Sequence, residues 1–288
     1  MGYRDTFEEK RRGVYKEVTL PVYGSQDVGI TPGGVMDQFA FDCGNAVLDN
    51  PDNAPALEMV LPPSLLVTES VYFIITGAPF TNPLMVINEN KTQIEHGTIY
   101  FAPAGADLLF GTRRSGLRSY LCYKKANTTN PNTAIVGRQM GKLEQIAHWP
   151  DNDGYIRVIK GPEYVYALNP VDFFRTEWQI SLDMSEMGMR LESKVKLGVK
   201  IESMISEAVT NGTIQITPNG PIILLKHRQT VGGYPRVFCV ISSDVDLLAQ
   251  FMPDQALKFK EITIEEAWQI AKQKRADVIS LRKNFNTF

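Results

Sequence analysis

The chain has 288 residues, 43% of them hydrophobic and 22% charged, and a formal net charge of −2. That length allows one large domain or two ordinary ones, each able to bury a core of its own. The near-zero charge excludes a whole-chain basic field that would draw nucleic acid or anionic lipid.

In chain order, residues 1–16 are polar and charged and lack an apolar h-region, so they do not read as a signal peptide. Lys10-Arg11-Arg12 beside Glu8 and Glu9 reads as a solvated face. A Gly-rich loop from Gly29 to Asp37 follows. Met36, Phe39, Ala40, Cys43 and Val47 then recur at helical spacing, and that pattern stops before Asn50-Pro51. Residues 71–76, 84–88, 98–102 and 118–123 are short runs rich in Ile, Val, Phe and Tyr, which predicts strands. The polar stretches 124–133 and 149–154 are the linker candidates, and they divide the chain into domains at 1–150 and 151–288.

Beyond that boundary, strands are predicted at 155–160, 213–217, 221–226, 236–242 and 256–260. Asn169-Pro170 reads as a cap and first turn leading into a helix over 171–178. Ile201, Met204, Ile205 and Ala208 predict a second helical face, ended by Asn211-Gly212. Thr263 and Glu266 form a capping box before a long C-terminal helix, whose Ile264, Trp268 and Ala271 share a face expected to pack on its own domain. Short strands recurring at close spacing predict a mainly β fold, built of barrels or sandwiches with a few peripheral helices rather than βαβ units. No apolar run is long enough to span a bilayer. Cys43, Cys122 and Cys239 are scattered and read as small core residues, as fits a reducing cytoplasm.

Chemistry concentrates in residues 212–250. Arg228, Gln229, Thr230 and Tyr234 are all donors, and Gly232-Gly233 lets the backbone pass close to a neighbour. Arginine is the usual clamp for a carboxylate or phosphate, but a tight hairpin corner satisfying its own backbone explains the same residues. The loop before Asp37 offers free N–H groups to an anion, or else Asp37 simply complements the helix dipole. Glu58 is a buried acid or a surface charge. Arg190 sits between apolar residues, reaching out from a strand or pairing with Asp183 or Glu186. The segment from Gly137 to Leu143 imitates a phosphate loop but is one residue short and lacks its Ser/Thr. His96, His148 and His227 have no ligand spacing, so no metal site is expected, and the chain carries no Met-Lys-Met site for biotin.

These clusters, in this order, resemble one family. Gly33-Gly34-Val35-Met36-Asp37, Asn45, Leu57-Glu58 and Thr76-Gly77-Ala78 match its first half. Met187-Gly188-Met189-Arg190-Leu191, the stretch from Gly212 to Ile222, the run Arg228-Gln229-Thr230-Val231-Gly232-Gly233-Tyr234-Pro235, and Asp246-Leu247-Leu248-Ala249-Gln250 match its second. The pattern resembles that of the C component of 5-oxoprolinase, a family also called allophanate hydrolase subunit 2 or biotin-dependent carboxyltransferase-like. The resemblance implies two cyclophilin-like β-barrel domains and a role in an ATP-dependent complex that opens 5-oxo-L-proline to L-glutamate. That complex includes a B-like component (the allophanate hydrolase subunit 1 type) and an A-like component, and this chain is expected to be inactive alone. Arg228, Gln229, Thr230 and His227 are then the expected catalytic residues, with Arg190, Gln215, Tyr234, Asp37 and Glu58 binding substrate. Alternatives within the family are a regulatory protein acting on a kinase inhibitor of the B-like type and the carboxyltransferase component of a urea carboxylase. The chain departs from the pattern before Gly29, at 124–133, at His227 (an Asp in the family) and at Glu186 (an Arg).

Overall fold

A computed structural model describes residues 3–126, 136–140, 154–201 and 203–285. By contact the chain forms two compact units. The first comprises Met1–Leu20, Asp37–Pro150 and Lys274–Phe288; the second comprises Pro21–Met36 and Asp151–Gln273. Two short segments, 21–36 and 274–288, thus group with the half of the chain remote from them in sequence. The linker stretches at 127–133 and 149–153, His148, and 141–143 of the imitation phosphate loop lie outside the described residues.

The first unit holds ten strands: β1 (Phe7–Arg11), β2 (Val14–Val18), β3 (Ala56–Leu61), β4 (Ser64–Val67), β5 (Val71–Gly77), β6 (Leu84–Ile87), β7 (Asn90–Gln93), β8 (Tyr100–Ala102), β9 (Asp107–Leu109) and β10 (Ser119–Lys125). They form two five-stranded sheets, β1-β4-β9-β6-β7 and β2-β3-β10-β5-β8. Phe7, Leu65 and Leu108 of one and Leu57, Phe73 and Leu121 of the other share a core. Helix α1 (Gln38–Val47) starts where expected, its apolar face almost wholly buried.

The second unit holds β11 (Tyr155–Lys160), β12 (Ala167–Leu168), β13 (Trp178–Met184), β14 (Gly188–Glu192), β15 (Gly198–Val199), β16 (Glu207–Ala208), β17 (Thr213–Thr217), β18 (Gly220–Leu224), β19 (Val231–Gly232), β20 (Arg236–Val240) and β21 (Ala256–Glu261). Seven of them close a barrel in the order β11-β20-β17-β18-β14-β13-β21. Side chains alternate across it: Met189, Leu191, Ile214, Ile216 and Phe238 point into the core. The residues between them face outward, and register places Arg190 opposite Ile222, Ile222 opposite Gln215, and Gln215 opposite Arg236. The other described α-helices are α2 (Pro170–Arg175), α3 (Ser242–Leu248) and α4 (Ile264–Phe285).

Three local expectations change. The helix over 201–208 does not form: Met204 N–H donates to Gly233 O, and 207–208 pair as β16 with β19, leaving Ile205 in solvent. Backbone pairing with a distant segment overrides the 3–4 spacing. The helix after Asn169 ends at Arg175, and Trp178 opens β13 with its indole N–H on Phe173 O (2.9 Å). The capping box on α4 is real, with Thr263 N–H on Glu266 Oε2 (2.7 Å) and Glu266 N–H on Thr263 Oγ1 (3.2 Å). The face expected to pack, however, is bare at its start: Ile264 is 65% and Trp268 61% exposed, and Lys272 lies over the indole, while Leu281 and Phe285 near the far end are the buried residues of α4.

Arg236 clamps Glu163 through Nε (2.8 Å), Nη2 (2.7 Å) and its own backbone N–H (3.0 Å). Arg236's hydrogen bonds hold the Glu163 carboxyl below its ordinary value, against the opposing effect of burial. A depressed carboxylate stabilises the fold above the ordinary value of about 4.3, and that contribution is lost as pH falls through the folded value. Glu163→Gln is therefore expected to flatten the acid limb of stability against pH while changing the slope above pH 6 little. Urea unfolding across a pH series checks this; an unchanged acid limb would contradict it.

Candidate functional site

The run from Arg228 to Pro235 is a fastening. Arg228 is buried, and its Nε (3.2 Å) and Nη2 (2.9 Å) both donate to Val209 O, while Nη1 donates to Asn211 Oδ1 (2.6 Å). Burial lowers the guanidinium pKa. Val209 N–H returns a bond to Thr230 O (3.1 Å), and β16 pairs with β19 alongside. The segment 204–211 is thereby tied to the loop 228–234. Gln215 lies beneath, 1% exposed, with Nε2 on Tyr234 O (2.9 Å). A Cβ at Gly232 would stand 2.6 Å from that same Nε2. Since Gln215 cannot move without losing Tyr234 O, glycine is required there by close approach. Gln229, Val231 and Tyr234 remain on the outer surface of this corner.

The Gly-rich segment joins the same unit. Thr31 Oγ1 donates to Lys226 O (3.3 Å), and His227 Nε2 lies 3.0 Å from Gly34 O and 3.7 Å from a Glu186 carboxylate oxygen. Gly33 and Gly34 both have positive φ (58° and 83°), which lets the chain turn beside the imidazole. Lys226 is buried on Asp246 (2.8 Å).

Arg190 lies apart from this corner. Its Nη1 donates to Thr217 Oγ1 (3.2 Å) and reaches Asn219 O (3.5 Å), and Asp183 stands 3.9 Å from its Nε. The ion pair expected from sequence is thus with Asp183, and the guanidinium braces the turn between β17 and β18.

Asp37 and Glu58 belong to the first unit. Asp37 caps α1, its Oδ1 accepting from Ala40 N–H (3.0 Å), so the helix N-terminus already carries its own carboxylate and does not invite an anion. Tyr120 accepts from Asp37 N–H (2.8 Å) and donates to Glu58 Oε2 (2.8 Å), with Arg118 3.6 Å and Lys16 3.8 Å from Glu58 Oε1. Burial, reinforced by the two carboxylates, pushes the Tyr120 phenol well above its ordinary value and keeps it a neutral donor. Reasoning from sequence missed Tyr120 and Arg118. Tyr120 pairs directly with Glu58 across β10 and β3, a relation that only register reveals.

Among the described residues no group of three or more His, Cys, Asp or Glu gathers in a way that could hold a metal ion. No described helix is long and apolar enough to cross a membrane.

The model of a family described as carboxyltransferase domain, subdomain A and B, matches residues 28–133 and 125–261. The chain is 27% identical to the C component of 5-oxoprolinase from Haemophilus influenzae, over 97% of each chain. It is 28% identical to the same component from Escherichia coli, over 85% of this chain and 87% of the relative. The fold is similar to that of the Kluyveromyces lactis urea carboxylase, with a TM-score of 0.81 at 18% identity over 96% of this chain. This chain spans 29% of that much longer protein, and the likeness speaks for the fold alone.

Proposed function

The chain belongs to the carboxyltransferase-domain family, subdomains A and B, and on that premise we propose that it is the C component of an ATP-dependent 5-oxoprolinase. The observation that carries this reading is the end-to-end correspondence with the bacterial C components. The reaction opens 5-oxo-L-proline to L-glutamate. The lactam is an unstrained amide, and opening it against equilibrium needs coupling to ATP. The reading assigns nucleotide binding to the complex with A-like and B-like proteins, no biotin to this chain, and a cytoplasmic setting.

Within this reading Arg228 acts as a positioning residue. It holds the corner on which Gln229, Thr230 and Tyr234 offer neutral donors to a substrate or intermediate, with His227 beside the Gly33-Gly34 turn as a proton donor. A second reading, the carboxyltransferase component of a urea carboxylase, draws on sequence similarity to the Lachancea kluyveri urea amidolyase, 21% identical over 88% of this chain and 17% of that protein.

The test is reconstitution. The isolated chain is expected to release no ADP from ATP and 5-oxo-L-proline, and to support release once A-like and B-like proteins from the same organism are added. Release by the isolated chain would overturn its assignment to a complex, and silence from the full set would overturn the activity.

A further inference from the structure

A crevice of about 670 Å3 opens at one mouth of the second unit's barrel, where β13 and β18 begin and β14 and β17 end. Its volume lies in the range of roughly 300–1,000 Å3 usual for small-molecule sites. Trp178, Leu191, Leu197 and Ile216 form an apolar floor. Glu192, Lys196 and Asn219 stand at its polar margin. Among the described residues, neither Glu192 nor Lys196 makes an ion pair, so both charges are available to a ligand.

The walls are preformed. On one side the strap 193–199 is turned by Ser193, whose Oγ donates to Val195 O (2.9 Å) and accepts from Val195 N–H (3.0 Å). The far end of that strap is pinned as β15 to β12. On the other side is the turn Thr217-Pro218-Asn219-Gly220-Pro221. Thr217 Oγ1 donates to Gly220 O (2.8 Å) and accepts from Asn219 N–H (3.2 Å), while Arg190 braces the turn from the barrel's outer face. A site that keeps its shape without a ligand loses less entropy on binding.

We propose that this crevice binds a small organic acid carrying an N–H donor close to its carboxylate, the class of amino acids and their cyclic amides. A carboxylate pairs with the Lys196 ammonium, an N–H donates to the Glu192 carboxylate, and a carbonyl or further N–H meets the Asn219 amide. A compact ring or aliphatic body then covers the apolar floor. Charge balance argues against a nucleotide, which would set several negative charges against one ammonium with a carboxylate beside it. A plain hydrophobic acid would leave Glu192 desolvated without a partner. The link between this crevice and catalysis rests on the proposed function, since 5-oxo-L-proline is a carboxylate with a ring N–H; the binding chemistry stands without it.

The experiment is a titration of the full-length 15N-labelled chain with 5-oxo-L-proline and L-glutamate, using 2-pyrrolidinone as the carboxylate-free control. Amide shifts are expected at 193–199 and at Thr217, Asn219 and Gly220 for the two acids and not for the control. Lys196→Glu is expected to weaken binding about tenfold or more, a loss of one charge-assisted contact and the gain of a repulsion. Val195→Trp, which fills the crevice from an exposed position, is expected to abolish binding with an unchanged melting temperature. Shifts confined elsewhere, no shifts, or wild-type affinity in both variants would overturn the site. The two readings separate in the reconstituted set. Lactam-driven ADP release by the set, with no shifts at the crevice in the titrated chain, rejects the crevice and keeps the activity. Binding in the crevice without lactam-driven release keeps the site and rejects the activity.

Discussion

Replacing Phe173 with alanine is expected to cost about 3–5 kcal/mol of unfolding free energy, the range for deleting a fully buried aromatic side chain. Phe173 is the one buried residue of α2. Its ring stacks at 4.4 Å on both Phe238 and Phe259 and lies 5.5 Å from Trp178. Its carbonyl also accepts the Trp178 indole N–H. Removing the ring opens a cavity among three aromatic neighbours and leaves the short helix only the partly buried Phe174, edge-on to Phe238, as a core contact. Phe173→Leu keeps part of the volume and is expected to fall between wild type and alanine. Equilibrium urea unfolding measures both; a loss near 1 kcal/mol or less for Phe173→Ala would show that the helix is not pinned by this ring.

The second large effect is expected at Asp244, which lies on α3 and is fully buried. It accepts from Arg157 backbone N–H (2.8 Å), Nε (2.9 Å) and Nη2 (2.5 Å). Asp244→Ala strips all three donors of their acceptor while the guanidinium remains mostly shielded, which is expected to cost about 3 kcal/mol. Removing both partners should hurt less than removing Asp244 alone, because the expensive state is an uncompensated buried charge. A double-mutant cycle with Arg157→Met decides it. Additive losses would mean that the pair is not coupled and that α3 is held by its apolar residues, such as Val245 and Leu248, instead.

Much of this fold is readable from local chemistry. The strands at 71–77, 155–160 and 213–217 are β-branched or aromatic runs with turn residues at their ends, and α1 and the capping box of α4 obey short-range rules. The misreadings arise where a distant segment decides. Ile201, Met204, Ile205 and Ala208 carry a helical period, yet 207–208 find a strand partner twenty-odd residues away in 231–232. Ile264 and Trp268 sit on one face of a helix, yet nothing in that spacing states whether a core lies beneath it.

The functional residues divide in the same way. The run from Arg228 to Tyr234 stands out in the sequence, and its two readings, an anion clamp or a hairpin corner, differ only in where the guanidinium points. The structure aims it at Val209 O and Asn211. Gly232 is explained by Gln215, seventeen positions earlier and invisible to any local rule. Asp37 and Glu58 were visible as acids, but Tyr120, which joins them, needs the register of β3 and β10. The crevice was not legible at all, because the ends of four strands and one strap assemble it.

The central claim is that this chain completes a lactam-opening, ATP-consuming complex rather than a urea-carboxylating one. The most direct measurement compares ADP release by the reconstituted set with 5-oxo-L-proline against release with urea, bicarbonate, a biotin carboxylase and a biotinylated carrier protein, each with and without this chain. The account predicts ADP release and matching L-glutamate formation with 5-oxo-L-proline, both lost when this chain is omitted. Release with urea and none with 5-oxo-L-proline, or lactam-driven release undiminished by the omission, would contradict it.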